Sequence, residues 1–306
     1  MNRRTLLAGG CASLVAATRP AFAQSLTPLD VAYAGSMGSM MEGPIKAAAA
    51  TALQIDFHGR AMGSDALAKL IVGGSISPDV FIPVTPGPMT TVLQGGKAIQ
   101  ATPVARTEMV IAYSPKSKYA KQFDDAAAGT HGAMPWWQIL QQSDIRFGRT
   151  DPATDPQGRN IIFTLQLAET FYKQPGLALK ILGETINPAQ IFSEPTVEAR
   201  LQSGELDAAS AYKIQPGPFN LPYVSLPQEI NLGVAALQHH YSLTSLQLGD
   251  KTYQPQPLVY YAAVLTGSAH ADKAAAFTAW LSGRDGQAIF RQYFYDPPGA
   301  AAALHA

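Results

Sequence analysis

The sequence predicts an α/β protein of two lobes, each a mainly parallel sheet flanked by helices, joined by a hinge of two crossing strands. Three observations carry that expectation. The chain has 306 residues, 47% hydrophobic and only 14% charged, where about 25% charged is usual; the length suits two ordinary domains or one large one, and the composition excludes a disordered chain. Its early part alternates strand and helix patterns as β-α-β-α-β, the order that builds parallel neighbours. Two long apolar runs, 104–114 (VARTEMVIAYS) and 258–265 (LVYYAAVL), are spaced to carry the chain out of one lobe and back.

Residues 1–23 read as a signal peptide. Arg3-Arg4 is followed by an apolar stretch to Ala17, then Pro20 and Ala21-Phe22-Ala23. That is a positive n-region, an h-region too short to span a bilayer, and an A-x-A cleavage site. Paired arginines ahead of Leu6-Leu7 fit a twin-arginine export signal, with an ordinary secretory signal as the alternative. The whole chain balances 22 Lys+Arg against 22 Asp+Glu. Cleavage after Ala23 removes Arg3, Arg4, Arg19 and the single cysteine, Cys11, but no acid. The remainder is slightly acidic and has neither disulfides nor thiol chemistry. No later stretch approaches about 18 uninterrupted apolar residues, and no Lys/Arg block offers phosphate contacts. The expectation is a monomeric protein of the periplasm that needs no cofactor and meets no nucleic acid.

From residue 29 the pattern reads strand 29–33, helix 36–52 with its alanine run at 47–50, strand 53–57, helix 64–72 and strand 79–82. The run 104–114 then crosses into a second unit, with helices at 115–128, 134–142, 156–173 and 194–203 and strands at 145–148, 206–212 and 222–226. Residues 258–265 return the chain, and helices near 270–282 and 284–293 close the first lobe. Lobe I is thus 24–108 plus 263–306, and lobe II is 109–262. Two lobes with two extended crossings is the plan of a hinged binding protein. Its ligand belongs at the carboxyl ends of the strands, where helix N-termini point.

Four strand-to-helix corners supply candidate residues. Ala34-Gly35-Ser36-Met37 follows the first strand, with Ser36 as N-cap or first-turn hydroxyl beside free N–H groups, an anion site without a cation. The same A-x-S-x-G pattern also fits a nucleophile elbow, with His239, His240, His270 and His305 as possible bases. Against a serine hydrolase stands its position on the first strand. Gly63-Ser64-Asp65 opens the second corner, and two serines at the ends of successive strands converge on one cleft. Asp155-Pro156-Gln157-Gly158-Arg159 starts a helix with Asp at the N-cap and Pro at N1. Ser193-Glu194-Pro195-Thr196 starts another that Gly204 ends, and Tyr212 lies 18 residues beyond Glu194. Read alone, each of these is a helix cap or a core tyrosine. Arg60 and Arg159 are the cations nearest the corners; in the cleft they would favour a different oxyanion, and Arg159 reads better as an ion-paired first-turn residue.

AGSM (34–37), GS (63–64), DPQGR (155–159), LQLAETFY (165–172), LQSGELDAASAY (201–212) and LPQEINLG (226–233) together resemble the periplasmic tungstate/molybdate-binding proteins of ABC importers, in the branch that coordinates the metal octahedrally. The resemblance implies a type II periplasmic binding fold without catalytic activity and an ABC permease and ATPase as partners. It also implies a site of Ser36, Ser64, Asp155, Glu194 and Tyr212. The carboxylates are its informative part. A sulfate or phosphate site does not aim acids at its ligand, because like charges a few ångströms apart repel. Carboxylates become favourable if they bond to a cationic centre or are protonated and donate. Tungsten(VI) and molybdenum(VI) are hard centres that can expand from four to six oxygen ligands. Asp155 and Glu194 would then ligate the metal while Ser36, Ser64, helix N–H groups and Tyr212 hold its oxo groups. The remaining alternatives are a hinged binder of another oxyanion or organic acid, and a secreted serine hydrolase built on Ser36.

Overall fold

The computed structural model describes residues 25–306; the expected signal peptide, 1–23, lies outside the described residues. Its strands are β1 (Thr27–Ala34), β2 (Ile55–Met62), β3 (Val80–Ile82), β4 (Gln100–Arg106), β5 (Met109–Tyr113) and β6 (Phe147–Gly148). These are followed by β7 (Ala208–Tyr212), β8 (Tyr223–Ser225), β9 (Leu246–Leu248), β10 (Lys251–Tyr253), β11 (Val259–Val264) and β12 (Leu304–His305). Lobe I is built on a sheet in the order β12-β4-β11-β3-β1-β2 and lobe II on a sheet in the order β6-β7-β5-β8, with β9 and β10 as a separate hairpin.

Side-chain alternation explains why both sheets are covered on two faces. On β5, Met109, Ile111 and Tyr113 join one core while Val110 and Ala112 join another. On β11, Tyr260 and Ala262 face one layer and Val259, Tyr261 and Ala263 the opposite one. Helices Ser64–Val72 and Pro86–Gln94 cover the second face of the lobe I sheet through Leu67, Ile71, Met89 and Val92.

The α/β class stands, but the strand directions correct one expectation. Only β1–β2, β1–β3 and β6–β7 run parallel; β3–β11, β11–β4, β4–β12, β5–β7 and β5–β8 are antiparallel. The reason is topological. A strand returning from the other lobe, such as β11, enters its sheet against the direction of the strands that left. The two crossings lie side by side, Thr107 N donating to Leu258 O (2.9 Å), and a third segment at Asn231–Leu232 bonds to both, accepting from Met109 N at Asn231 O (2.8 Å) and from Leu258 N at Leu232 O (2.8 Å).

The expected helix 36–52 is a composite. A 3-10 turn at Gly35–Met37 leads into α-helix, a π turn at Met41–Ile45, and α-helix again at Lys46–Leu53. Pro44 sits inside the π turn. Proline lacks an N–H and crowds the preceding turn, and an extra residue per turn accommodates it. Helices Pro156–Phe171 and Glu194–Ser203 start where their caps predict, and Gly204, at φ 85°, ends the second. Among the described residues no helix is long and apolar enough to cross a membrane.

Candidate functional site

The five residues singled out in the sequence meet. Ser36, Ser64, Asp155, Glu194 and Tyr212 line one cavity of about 260 Å³ between the lobes, together with Gly35, Gly63, Val84, Thr154 and Gln157. None of its lining residues is Lys, Arg or His. Lobe I contributes the two serines and lobe II the two acids and the tyrosine.

Neither serine caps its helix. Ser36 lies within the 3-10 turn that begins at Gly35, and its Oγ is 3.3 Å from the hydroxyl of Tyr260, a fully buried residue on β11. Ser64 is the first helical residue, with Gly63 at the cap position, and its Oγ accepts a hydrogen bond from Val84 N (3.2 Å). As an acceptor in that bond, Ser64 keeps its own proton to donate. Around both serines the helix starts present backbone N–H groups without intrahelical partners.

Asp155 is a true N-cap. With φ −120° and ψ 126°, its Oδ1 accepts from Gln157 N (2.8 Å). Gly158 explains the D-P-x-G spacing. A Cβ there would lie 2.4 Å from Thr150 O and 2.7 Å from Pro152 N, so only glycine lets the preceding loop pack on the helix start. Burial is the main force on the Asp155 carboxyl and pushes it above the ordinary aspartate range, against the Gln157 amide, the Thr150 hydroxyl and Arg159. Glu194 opens its own helix, and burial, reinforced by the charge of Asp155, pushes it up to about 7. Glu198, one turn on, is also pushed up to about 7, by burial first and Glu194 second. Tyr212 OH accepts from Asn160 Nδ2 (3.0 Å), leaving the phenolic proton for the cavity, and burial keeps the phenol protonated.

Two recesses flank this cavity. One, of about 420 Å³, shares Ser64 and Pro156 with it and adds Asp65, Arg159 and Tyr253. The other, of about 220 Å³, shares Ser36 and Glu194 and adds Ser39, Glu198 and Phe219. Arg159 is ion-paired, as its position in the sequence suggests. Its guanidinium reaches Asp65 Oδ2 of lobe I (3.3 Å), donates to Pro152 O (3.0 Å) and lies 4.5 Å from the Tyr253 ring centroid. Arg60 lines a separate recess with Asp30 and His58. Neither arginine enters the central cavity.

Residues 29–296 match the family described as bacterial extracellular solute-binding protein. The chain belongs to that family. As a solute-binding protein it is not an enzyme, and membership in an extracellular family implies export. The hydrolase alternative falls with it, and Ser36 Oγ sits beside the Tyr260 hydroxyl rather than a histidine. Two relatives of this solute-binding protein are both named molybdate/tungstate-binding protein WtpA. The one from Pyrococcus abyssi is 31% identical over 220 residues, covering 64% of this chain and 62% of the relative. The one from Thermococcus kodakarensis is 29% identical over 222 residues, covering 64% and 60%. The chain therefore spans about three fifths of the length of these relatives. Among solved structures, the Azotobacter vinelandii periplasmic molybdate-binding protein superposes with a TM-score of 0.57 at 17% identity, covering 88% of this chain and 99% of that one. The sulfate-binding protein SubI of Mycobacterium tuberculosis gives 0.60 at 12%, covering 90% and 88%. These likenesses establish the two-lobe fold.

Gln157, Asn160, Gln215 and Tyr260 have no site role in the sequence reading, yet all of them touch the predicted set. Gln157 and Asn160 sit in or beside the DPQGR motif and were open to notice. Tyr260 lies in an apolar run that reads as core, and Gln215 lies in a turn after β7 where nothing marks it.

Proposed function

We propose that the solute-binding protein captures tungstate or molybdate in the inter-lobe cavity and delivers it to an ABC importer. One observation carries this reading: two acids, Asp155 and Glu194, share a cavity with two serines and no cationic side chain. While ionised, each acid is electrostatically adverse for a fixed tetrahedral anion, about 4 kcal/mol for unit charges roughly 4 Å apart at an effective dielectric of about 20. For a metal centre that can accept two further oxygen ligands, the same acids become bonds. Ser36, Ser64 and Tyr212 then donate to the oxo groups, and Asp155 and Glu194 ligate the metal from the opposite wall. The names of the Pyrococcus and Thermococcus relatives agree with this choice of ligand.

In this reading the chain acts as a monomer in the periplasm after cleavage behind Ala23, with lobe I formed by 24–108 plus 263–306 and lobe II by 109–262. The loaded form docks on an ABC permease driven by an ATPase, without a cofactor. Titration calorimetry at pH 7 with tungstate, molybdate, sulfate and phosphate tests the ligand. Tungstate and molybdate are expected to bind at least a hundredfold tighter than the other two. Sulfate or phosphate binding as tightly as tungstate would refute the reading.

A further inference from the structure

Gln215 does not appear among the residues around the central cavity, yet three hydrogen bonds converge on it. Its Oε1 accepts from Gln157 Nε2 (2.5 Å) and from Tyr212 N (2.6 Å), and its Nε2 donates to Glu194 Oε1. Gln157 in turn donates its backbone N–H to Asp155 Oδ1 (2.8 Å). Both glutamines are buried, at 4% and 7% exposure.

The network fixes the amide orientations. Tyr212 N is a backbone donor that cannot turn into an acceptor, so the Gln215 atom facing it is oxygen. The nitrogen of Gln215 therefore faces Glu194. With Oε1 of Glu194 engaged, one carboxylate oxygen remains to ligate, and its direction is set by a buried chain that also touches Asp155.

We propose that Gln215, oriented by Gln157 and the Tyr212 amide, is the positioning residue that aims the Glu194 carboxylate into the cavity, and that it thereby sets the preference for centres able to expand their coordination. This rests on the reading of Glu194 as a metal ligand. A carboxylate free to swing could retreat from a tetrahedral anion; one held by Gln215 keeps facing the ligand. It rejects whatever it cannot bond.

The test is Gln215→Glu. It keeps the size of the side chain and the oxygen that receives Gln157 and Tyr212, and puts a carboxylate oxygen in place of the donor toward Glu194. Tungstate affinity should fall ten- to a hundredfold, the range of a hydrogen bond to a charged group. X-ray absorption at the tungsten L3 edge should report fewer oxygen neighbours than in the parent complex. Gln157→Met leaves Gln215 and Glu194 intact and removes one orienting donor; it should weaken tungstate severalfold with a spectral change in the same direction, and it carries the test if Gln215→Glu does not fold. Parent-like affinity in both variants overturns the proposal. So does weakened binding with an unchanged tungsten spectrum, the mark of a merely structural glutamine. A parent complex that is itself four-coordinate removes the role of Glu194 and this proposal with it, and is recognised before any substitution is made.

Discussion

On the lobe I wall the cavity is lined by Gly35, Ser36, Gly63, Ser64 and Val84; on the lobe II wall by Thr154, Asp155, Gln157, Glu194 and Tyr212. The first wall carries no formal charge. Its hydroxyls sit in the first turns of helices, and the framework around them is backbone and a buried tyrosine. The second wall concentrates acids in a place that resists their ionisation: burial, then the charge of Asp155, pushes Glu194 up to about 7, and burial, then the charge of Glu194, does the same to Glu198 in the adjoining recess. A neutral wall accepts many oxyanions with similar ease, because N–H and O–H donors recognise oxygen rather than the atom behind it. An acidic wall discriminates by the central atom.

That contrast is open to direct attack. Removing both acids, Asp155→Ala with Glu194→Ala, should cost tungstate more than a hundredfold by calorimetry, since two ligating bonds are lost; near-parent affinity would show that the acidic wall is not where selectivity lies. On the neutral wall, Ser64→Ala removes one donor and should cost roughly five- to thirtyfold, about 1–2 kcal/mol. The melting temperature of its ligand-free form monitors the Val84 N–H that loses its acceptor. A Ser64 effect as large as the double acid change would make the two walls equivalent.

The smallest effect concerns stability. Burial raises Glu194 and Glu198 from an ordinary 4.5 to about 7. The folded state thus holds protons that the unfolded state releases. The stability they contribute is fully present below about 4.5 and is lost as pH rises towards 7. The ligand-free melting temperature should therefore fall across that window through these groups, and Glu198→Gln should shrink the fall by a few degrees. Identical profiles in parent and variant would mean that Glu198 titrates as an ordinary surface acid.

Much of this architecture can be read from residues with strong local meaning. Asp155-Pro156, Ser193-Glu194-Pro195 and Gly204 fix helix ends through capping and φ preference, and the helices begin and end there. The helix Pro86–Gln94 is hidden in the sequence because Pro86-Gly87-Pro88 reads as a turn, although proline suits the first helical turn. The helix Leu177–Leu182 and the hairpin of β9 and β10 are too short to show a period. Strand direction is not legible, because periodicity reports burial and says nothing about which neighbour a returning strand meets. The same limit hid Gln215: its importance comes from what the fold brings within 3 Å, and an isolated amide in a turn leaves no local trace.

The helix Pro156–Phe171 carries Asp155 at its cap and Arg159 in its first turn, four residues apart. Asp155 lines the inter-lobe cavity, and Arg159 is fastened to Asp65 of lobe I. A hydrogen-bonded helix moves as a rigid rod, so in the proposed reading any spreading of the lobes draws the acidic wall and its metal away from the two serines and breaks the Arg159–Asp65 fastening in the same stroke. Opening on that reading is a single mechanical event, in which the grip of the serines and the lobe-to-lobe fastening are lost together.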